Sequence, residues 1–230
     1  IKIILPSPLE QQDVMIATQL MVECSLGTLS FYQPYLSLLP KEVPRLDTFQ
    51  EEELNLLADT QLQELARQSL GQLTRLFFES IETIVQKAGA SLGASSALIE
   101  SCGSSFESFH RFVAIASSHS MILDGSKYLV PMADMINHSP MNDNKSGESF
   151  LSFHQRGERT GAIRIAADRA TISGAQIFEE YGRLDNSLYL LAFGFVPPDN
   201  PHHCATITLP HIANPQLHDV LDALDIRNDS

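Results

Sequence analysis

The hydrophobic pattern changes its period once, near Ser118, and that change restricts the chain to a helical part followed by a part built of short strands. Asp13 to Val22 carries apolar residues at helical spacing and runs toward Gly27, a suitable residue just past a helix end. Thr48-Phe49-Gln50-Glu51 fits a capping box, so a helix is expected to start there. From Glu52 to Lys87 the spacing of Leu54, Leu57, Leu62, Leu65, Leu73, Leu76, Phe77, Ile81, Ile84 and Val85 predicts one or two amphipathic helices, interrupted near Asp59-Thr60. The small residues from Gly89 to Gly103 predict a loop or a short helix. Ser104-Ser105-Phe106-Glu107 is a second capping-box match, opening a helix on Phe109, Phe112, Val113 and Ile115.

Beyond Ser118, Tyr128 to Met132 is a short apolar piece, and Ser149 to His154 has the aromatic content of a strand. Ala162 to Ala166 alternates, Ile172 to Ala175 is a turn, and Gln176 to Tyr181 alternates again. Asp185 is placed to cap a short helix through Leu191 that stops at Gly194, before Pro197-Pro198. Gln216 to Ile226 reads as a further helix.

Composition removes several function classes. Fifteen basic against twenty-eight acidic residues leave a net charge of −13, which opposes a phosphate-backbone binder and suits a basic partner. No apolar run approaches the roughly 20 residues that span a bilayer. Neither nucleic acid nor membrane is expected as a partner. Cys24, Cys102 and Cys204 are odd in number and widely separated, so neither a disulfide framework nor a cysteine zinc site is indicated, and an intracellular, reducing location is the simpler reading. The opening Ile1-Lys2-Ile3-Ile4-Leu5-Pro6 reads as an internal cut rather than a natural start.

Two segments concentrate polar side chains in apolar surroundings. Asp134-Met135-Ile136-Asn137-His138-Ser139 must be solvated, paired or in use, because burying unsatisfied polar groups is costly. Taken alone it fits a capped turn. Glu179-Glu180-Tyr181-Gly182 sets a tyrosine at a strand end, where it either points into a cleft or rests in the core. Asp134, His138, His202, His203 and Cys204 are chemically able metal ligands, but no open-site motif organises them, so no metal is expected. Ser139 and Ser187 lack the G-x-S-x-G elbow of a serine hydrolase.

Order and spacing give these pieces a shared meaning. The N-H-S at 137–139, the G-x-Q-I-x-x-x-Y-G at 174–182 and the D-N-x-x-Y-L-L-x-F-G-F at 185–195 together resemble the SET domain. With Pro34-Tyr35-Leu36 and Leu38-Leu39-Pro40 upstream, and Leu129-Val130-Pro131-Met132-Ala133-Asp134, the chain is similar to the Rubisco large-subunit methyltransferase class of non-histone lysine methyltransferases, over about residues 10 to 210. The resemblance implies an α+β fold: a pseudoknotted β-clip of short antiparallel strands with a large helical insert. Residues 1–12 would end an N-terminal SET portion, 13–105 form the insert, 106–204 carry the motifs, and 205–230 begin a C-terminal helical substrate-binding domain.

The same resemblance implies S-adenosyl-L-methionine as cofactor and a lysine-bearing protein as substrate, handled by a monomer. Asp134, Asn137, His138, His119 and Tyr181 would meet the cofactor. Tyr181 would be the catalytic tyrosine, and Phe193, Tyr181 and Phe150 would line the lysine channel. Methyl transfer to an amine is an in-line displacement, so alignment is the protein's main task, and a desolvating channel helps the lysine arrive neutral. The sequence departs from the class in two places. No G-x-G strand precedes Ile1, and Ser118-His119 stands where the class has Ser-Arg, so His119 is either a shorter, titratable substitute or a position that has drifted. Two other readings stay open: a non-catalytic SET-like interaction module, and methylation of histidine in place of lysine.

Overall fold

Because side chains three and four residues apart share a helix face, the leucine- and phenylalanine-rich first half folds as helices around a main core and a smaller buried cluster. The computed structural model describes residues 8–57, 60–123, 125–139, 149–156, 163–167 and 170–204. Helix α1 spans Pro8–Leu26, and the chain leaves it through Gly27 at φ +54°. Short helices α2 (Gln33–Leu36) and α3 (Glu51–Leu54) precede α4 (Thr60–Leu76) and α5 (Glu82–Ser91), which are joined through a π-helical turn at Phe77–Ile81. Helix α6 (Ser96–Leu98) runs into a second π-helical turn at Ile99–Gly103, and α7 covers Phe106–His119.

Two caps sit differently from the expectation. Glu51 does not close a box on Thr48; instead the Glu53 carboxylate accepts from the Gln50 N–H at 2.8 Å, so α3 starts after Gln50 while Thr48 closes a 3-10 turn on Arg45. Ser105 rather than Ser104 caps α7, its hydroxyl accepting from the Ser108 N–H at 3.2 Å. A second glutamate, Glu53, and a second serine, Ser105, stood within reach of the same turns.

The core forms where α1, α5, α7 and the first π turn meet, around Met21, Phe77, Val85, Phe109 and Phe112. Phe77 and Phe109 stack at 5.5 Å between ring centroids. Each such buried side chain contributes about 1.5–3 kcal/mol. Cys24 and Cys102 are joined as a disulfide with Cα atoms 5.8 Å apart, which overturns the expectation that the cysteines stay unpaired. Their wide separation in sequence hid the contact, because α1 packs directly on the Ile99–Gly103 turn.

The strands are short. Met121–Leu123 (β1) and Ser126–Tyr128 (β2) form an antiparallel hairpin. Asn137–His138 (β3), Ser149–Arg156 (β4), Ile163–Ala167 (β5) and Ile177–Glu179 (β6) form a sheet in the order β3-β6-β4-β5. Only β4 and β5 pair antiparallel there; β6 runs parallel to both β3 and β4. The expectation of antiparallel strands therefore holds for the hairpins alone, since strands brought together from distant segments are not bound to hairpin direction. Helix α8 (Asn186–Phe193) closes the described part, with Asp185 accepting from the Leu188 N–H at 2.9 Å and Gly194 ending it at φ +75°. Leu190 and Leu191 of α8 pack on the buried Leu46, Leu54, Leu62 and Ala66, locking α8 to the helical part. The helix expected over 216–226 and the domain expected from 205 lie outside the described residues. No helix among the described residues is long and apolar enough to cross a membrane.

Candidate active site

The two polar motifs, some forty residues apart in sequence, meet through one parallel pairing. Asn137 stands opposite Phe178 and His138 opposite Glu179, and the Ser139 N–H donates to the Glu179 carbonyl at 3.2 Å. That register carries the chain of β6 directly into Tyr181, whose backbone N–H donates to His138 Nδ1 at 3.2 Å. With Nδ1 accepting, the neutral His138 ring carries its proton on Nε2, and this buried Nε2 has no hydrogen-bond partner among the described residues. Burial lowers the His138 pKa, which favours that neutral form.

Tyr181 is held at both ends. Its hydroxyl donates to the Ile136 carbonyl at 2.6 Å, and its ring lies 4.9 Å from Phe193 and 5.2 Å from His138. Burial, then the charge of Glu179 and the nearby Tyr189, push the Tyr181 pKa up to about 12. Its phenol therefore keeps its proton at neutral pH and acts as an oriented O–H dipole. Tyr189, 1% exposed, supports the cluster from below by donating from its hydroxyl to the Gly182 carbonyl at 2.7 Å.

A cavity of about 300 Å³ opens beside Tyr181, bordered by Phe193, His119, Asp134, Ile136, Glu179 and Glu180, with Lys127 at its edge. Asp134 is buried, and the Tyr35 hydroxyl donates to its Oδ2, while Oδ1 lacks a partner among the described residues. Burial raises the Asp134 pKa, against the hydrogen bond from Tyr35 and the charge of His119. His119 Nδ1 lies 2.9 Å from the Asp134 carbonyl oxygen, which can only accept, so that nitrogen carries a proton. Lys127 is bound to both carboxylate oxygens of Asp13, at 2.6 and 2.8 Å. Burial raises the Glu179 pKa to about 7.

Of the expected site residues, Asp134, His119, Tyr181 and Phe193 border one cavity. His138 stands behind Tyr181, and Asn137 is exposed on β3; neither borders the cavity. Phe150 is on β4, its backbone paired with Phe178, and its side chain lies outside the described residues. Sequence reasoning missed Tyr35 and Glu179. Tyr35 stood inside the P-Y-L-x-x-L-P segment without a role, and Glu179 was one of two consecutive glutamates that pattern alone does not separate. Among the described residues no group of three or more His, Cys, Asp or Glu side chains is placed to hold a metal ion.

The architecture is similar to the SET-domain fold of solved Rubisco LSMT structures. The SET domain of LSMT solved with lysine and AdoHcy superposes with a TM-score of 0.62 at 20% identity, covering 90% of this chain and 46% of that one. Rubisco LSMT bound to AdoMet gives 0.56 at 22% identity, covering 93% and 46%. Among curated proteins, human SET domain-containing protein 4 is 28% identical over 209 residues, 88% of this chain and 44% of its own. Ribosomal lysine N-methyltransferase set10 of Schizosaccharomyces pombe is 27% identical over 107 residues, 46% of this chain and 18% of its own. The chain thus spans less than half the length of these relatives. No family model matches it.

Proposed function

We propose that the protein is an S-adenosyl-L-methionine-dependent methyltransferase that modifies the side-chain amine of a lysine in a non-histone protein. The observation that carries this reading is the convergence of Tyr181, Phe193, His119 and Asp134 on one cavity, beside a β3–β6 pairing that joins both polar motifs. The residues fit the cofactor's chemistry. Asp134 Oδ1 and His138 Nε2 are a buried acceptor and a buried donor without partners among the described residues, and buried polar groups are rarely left so. The acidic lining suits a cationic sulfonium. Asp134 and His119 at the cavity, with Asn137 and His138 on the adjoining β3 outside its lining, would hold the cofactor, which supplies an activated methyl group whose C–S bond breaks as the N–C bond forms.

The protein's own part is alignment. Tyr181 presents a protonated hydroxyl fixed by the Ile136 carbonyl, so its dipole needs little reorganisation during the reaction. Phe193 and Tyr181 supply aromatic walls that strip water from an entering ammonium and lower its pKa. Under the same reading residues 13–105 are the helical insert, 106–204 the motif-bearing SET portion, and 205–230 the start of a helical substrate-binding domain.

The test is incubation of the full-length protein with radiolabelled S-adenosyl-L-methionine and cell lysate, followed by identification of the labelled residue. Tyr181→Phe is expected to retain cofactor binding and to lose about 10²-fold or more in turnover, the scale of one oriented donor. Undiminished methylation by that variant refutes the role given to Tyr181. Absence of cofactor affinity in the wild-type protein favours a non-catalytic interaction module, and label on histidine favours the other alternative.

A further inference from the structure

Asp134 is where three segments far apart in the chain meet. Its Oδ2 accepts from the Tyr35 hydroxyl, its carbonyl accepts from His119 Nδ1 at 2.9 Å at the end of α7, and its N–H donates to the Val130 carbonyl at 3.0 Å. The turn that carries it is strained. Met132 stands at φ +77° and ψ −40°, a sparsely populated conformation for a residue with a side chain, and at 72% exposure that side chain adds little packing to offset the cost. Such a turn persists where its surroundings fix it, and Tyr35 supplies one of those contacts. Tyr35 is itself anchored: it packs against the main core, Leu39 behind it is buried, and Arg111 of α7 donates from Nε to the Pro40 carbonyl at 2.8 Å. A pinned segment of the helical part thus brings a hydroxyl to a buried carboxylate 99 residues further on, at the wall of the cavity.

We propose that Tyr35 is a positioning residue of the cofactor site, its hydroxyl holding the Asp134 carboxylate in place and as an anion at the cavity wall, where it meets a cofactor that carries a sulfonium cation; this rests on the methyltransferase reading above. A donor aimed at a carboxylate favours the anion over the acid, because hydrogen bonds to the charged form are the stronger ones. Burial pulls the Asp134 carboxyl up, and it is opposed first by the Tyr35 hydrogen bond and then by the charge of His119. Tyr35 keeps its proton to donate, since burial and the adjacent carboxylate push its phenol up. Without the hydroxyl, burial acts with less opposition, and Asp134 takes a proton more readily and loses the charge that attracts a cation. The other charged or titratable groups at the cavity are His119 of α7, Lys127 of β2, and Glu179, Glu180 and Tyr181 of β6 and its end. They stay in place when the Tyr35 hydroxyl alone is deleted, so their titration, like that of the cofactor, is common to wild type and variant.

The test measures the affinity of the full-length protein for tritiated S-adenosyl-L-methionine by equilibrium dialysis across pH. Tyr35→Phe, which removes one oxygen and keeps the ring, is expected to bind about ten-fold more weakly at neutral pH, the scale of one hydrogen bond to a charged group. Its affinity should also begin to fall at a higher pH than that of the wild type, because an Asp134 carboxyl pulled further up is protonated sooner as pH drops. Asp134→Asn checks the route: adding Tyr35→Phe to it should change affinity by less than about two-fold, since the charge that Tyr35 holds is already gone. A residue that only stabilised the fold would lower the melting temperature without moving the pH at which affinity falls. Wild-type affinity and pH dependence in Tyr35→Phe overturn the proposal, as does an undiminished loss when Tyr35→Phe is added to Asp134→Asn. If Tyr35→Phe does not fold, replacement of Tyr35 by 3-fluorotyrosine decides: its more acidic phenol is a stronger donor, so the fall in affinity should move to lower pH, and an unmoved profile overturns the proposal. Wild-type protein with no affinity for the cofactor removes the methyltransferase reading and this role with it, whereas a wild type that binds and a Tyr35→Phe indistinguishable from it refute the role alone.

Discussion

Gly194 joins the helical part to the site, and replacing it by alanine tests that joint. The residue follows Phe193 at φ +75°, a left-handed conformation that costs an L-residue about 1–2 kcal/mol. A Cβ there would also overlap the Pro44 carbonyl outright and come within 3.2 Å of the Arg45 nitrogen. Both are backbone atoms, so the 44–46 connector has to move, and Leu46, 0% exposed, moves with it. Loosening one fully buried leucine costs about 2–5 kcal/mol. The sum is about 3–7 kcal/mol, which at 2–4 °C per kcal/mol for a chain of this size lowers the melting temperature by on the order of 10–20 °C. Gly93→Ala is the matched control: it has φ +86° but nothing within 4 Å, so only the backbone cost of about 1–2 kcal/mol is expected. Denaturant melts of both variants give the comparison. Equal losses would refute the claim that α8 closes on the Pro44 backbone.

Asp47 tests the charge arrangement of the helical part, where Arg45 donates to both its oxygens at 3.0 and 2.8 Å, Ser69 donates at 2.9 Å and His110 Nε2 lies 3.5 Å away. Burial pushes its carboxyl up, but His110, Arg45 and Ser69 together outweigh burial and hold it well below the ordinary carboxylate range. Its stabilisation is therefore full above the unfolded value near 3.8 and is lost as pH falls below it. Asp47→Asn should cost about 3–5 kcal/mol at neutral pH and flatten the acid limb of a stability-versus-pH curve; an unchanged acid limb refutes the assignment. The Cys24–Cys102 bridge closes a separation of 78 residues, so reduction should lower stability by about 2–4 kcal/mol in a denaturant melt. Equal alkylation of both cysteines with and without reductant would show that the bridge is absent.

The sequence by itself determined the elements whose signals are local. Helical spacing placed α4, α5 and α7, Asp185 and Gly194 bounded α8, aromatic content located β4, and alternation located β5 and β6, because propensity, capping and side-chain period act within a few residues. The order of its motifs also pointed to the fold of the LSMT SET domain, to which the structure is similar. Which of two nearby residues starts each helix, Ser104 or Ser105, Thr48 or Gln50, was not legible in the capping pattern. The pairing of Cys24 with Cys102, the parallel direction of β3 and β6, and the bond from Tyr35 to Asp134 join positions far apart in the chain. No periodicity reports such contacts. The raised pKa of Glu179 is of the same kind: burial by segments distant in sequence causes it, and no local pattern reports that burial.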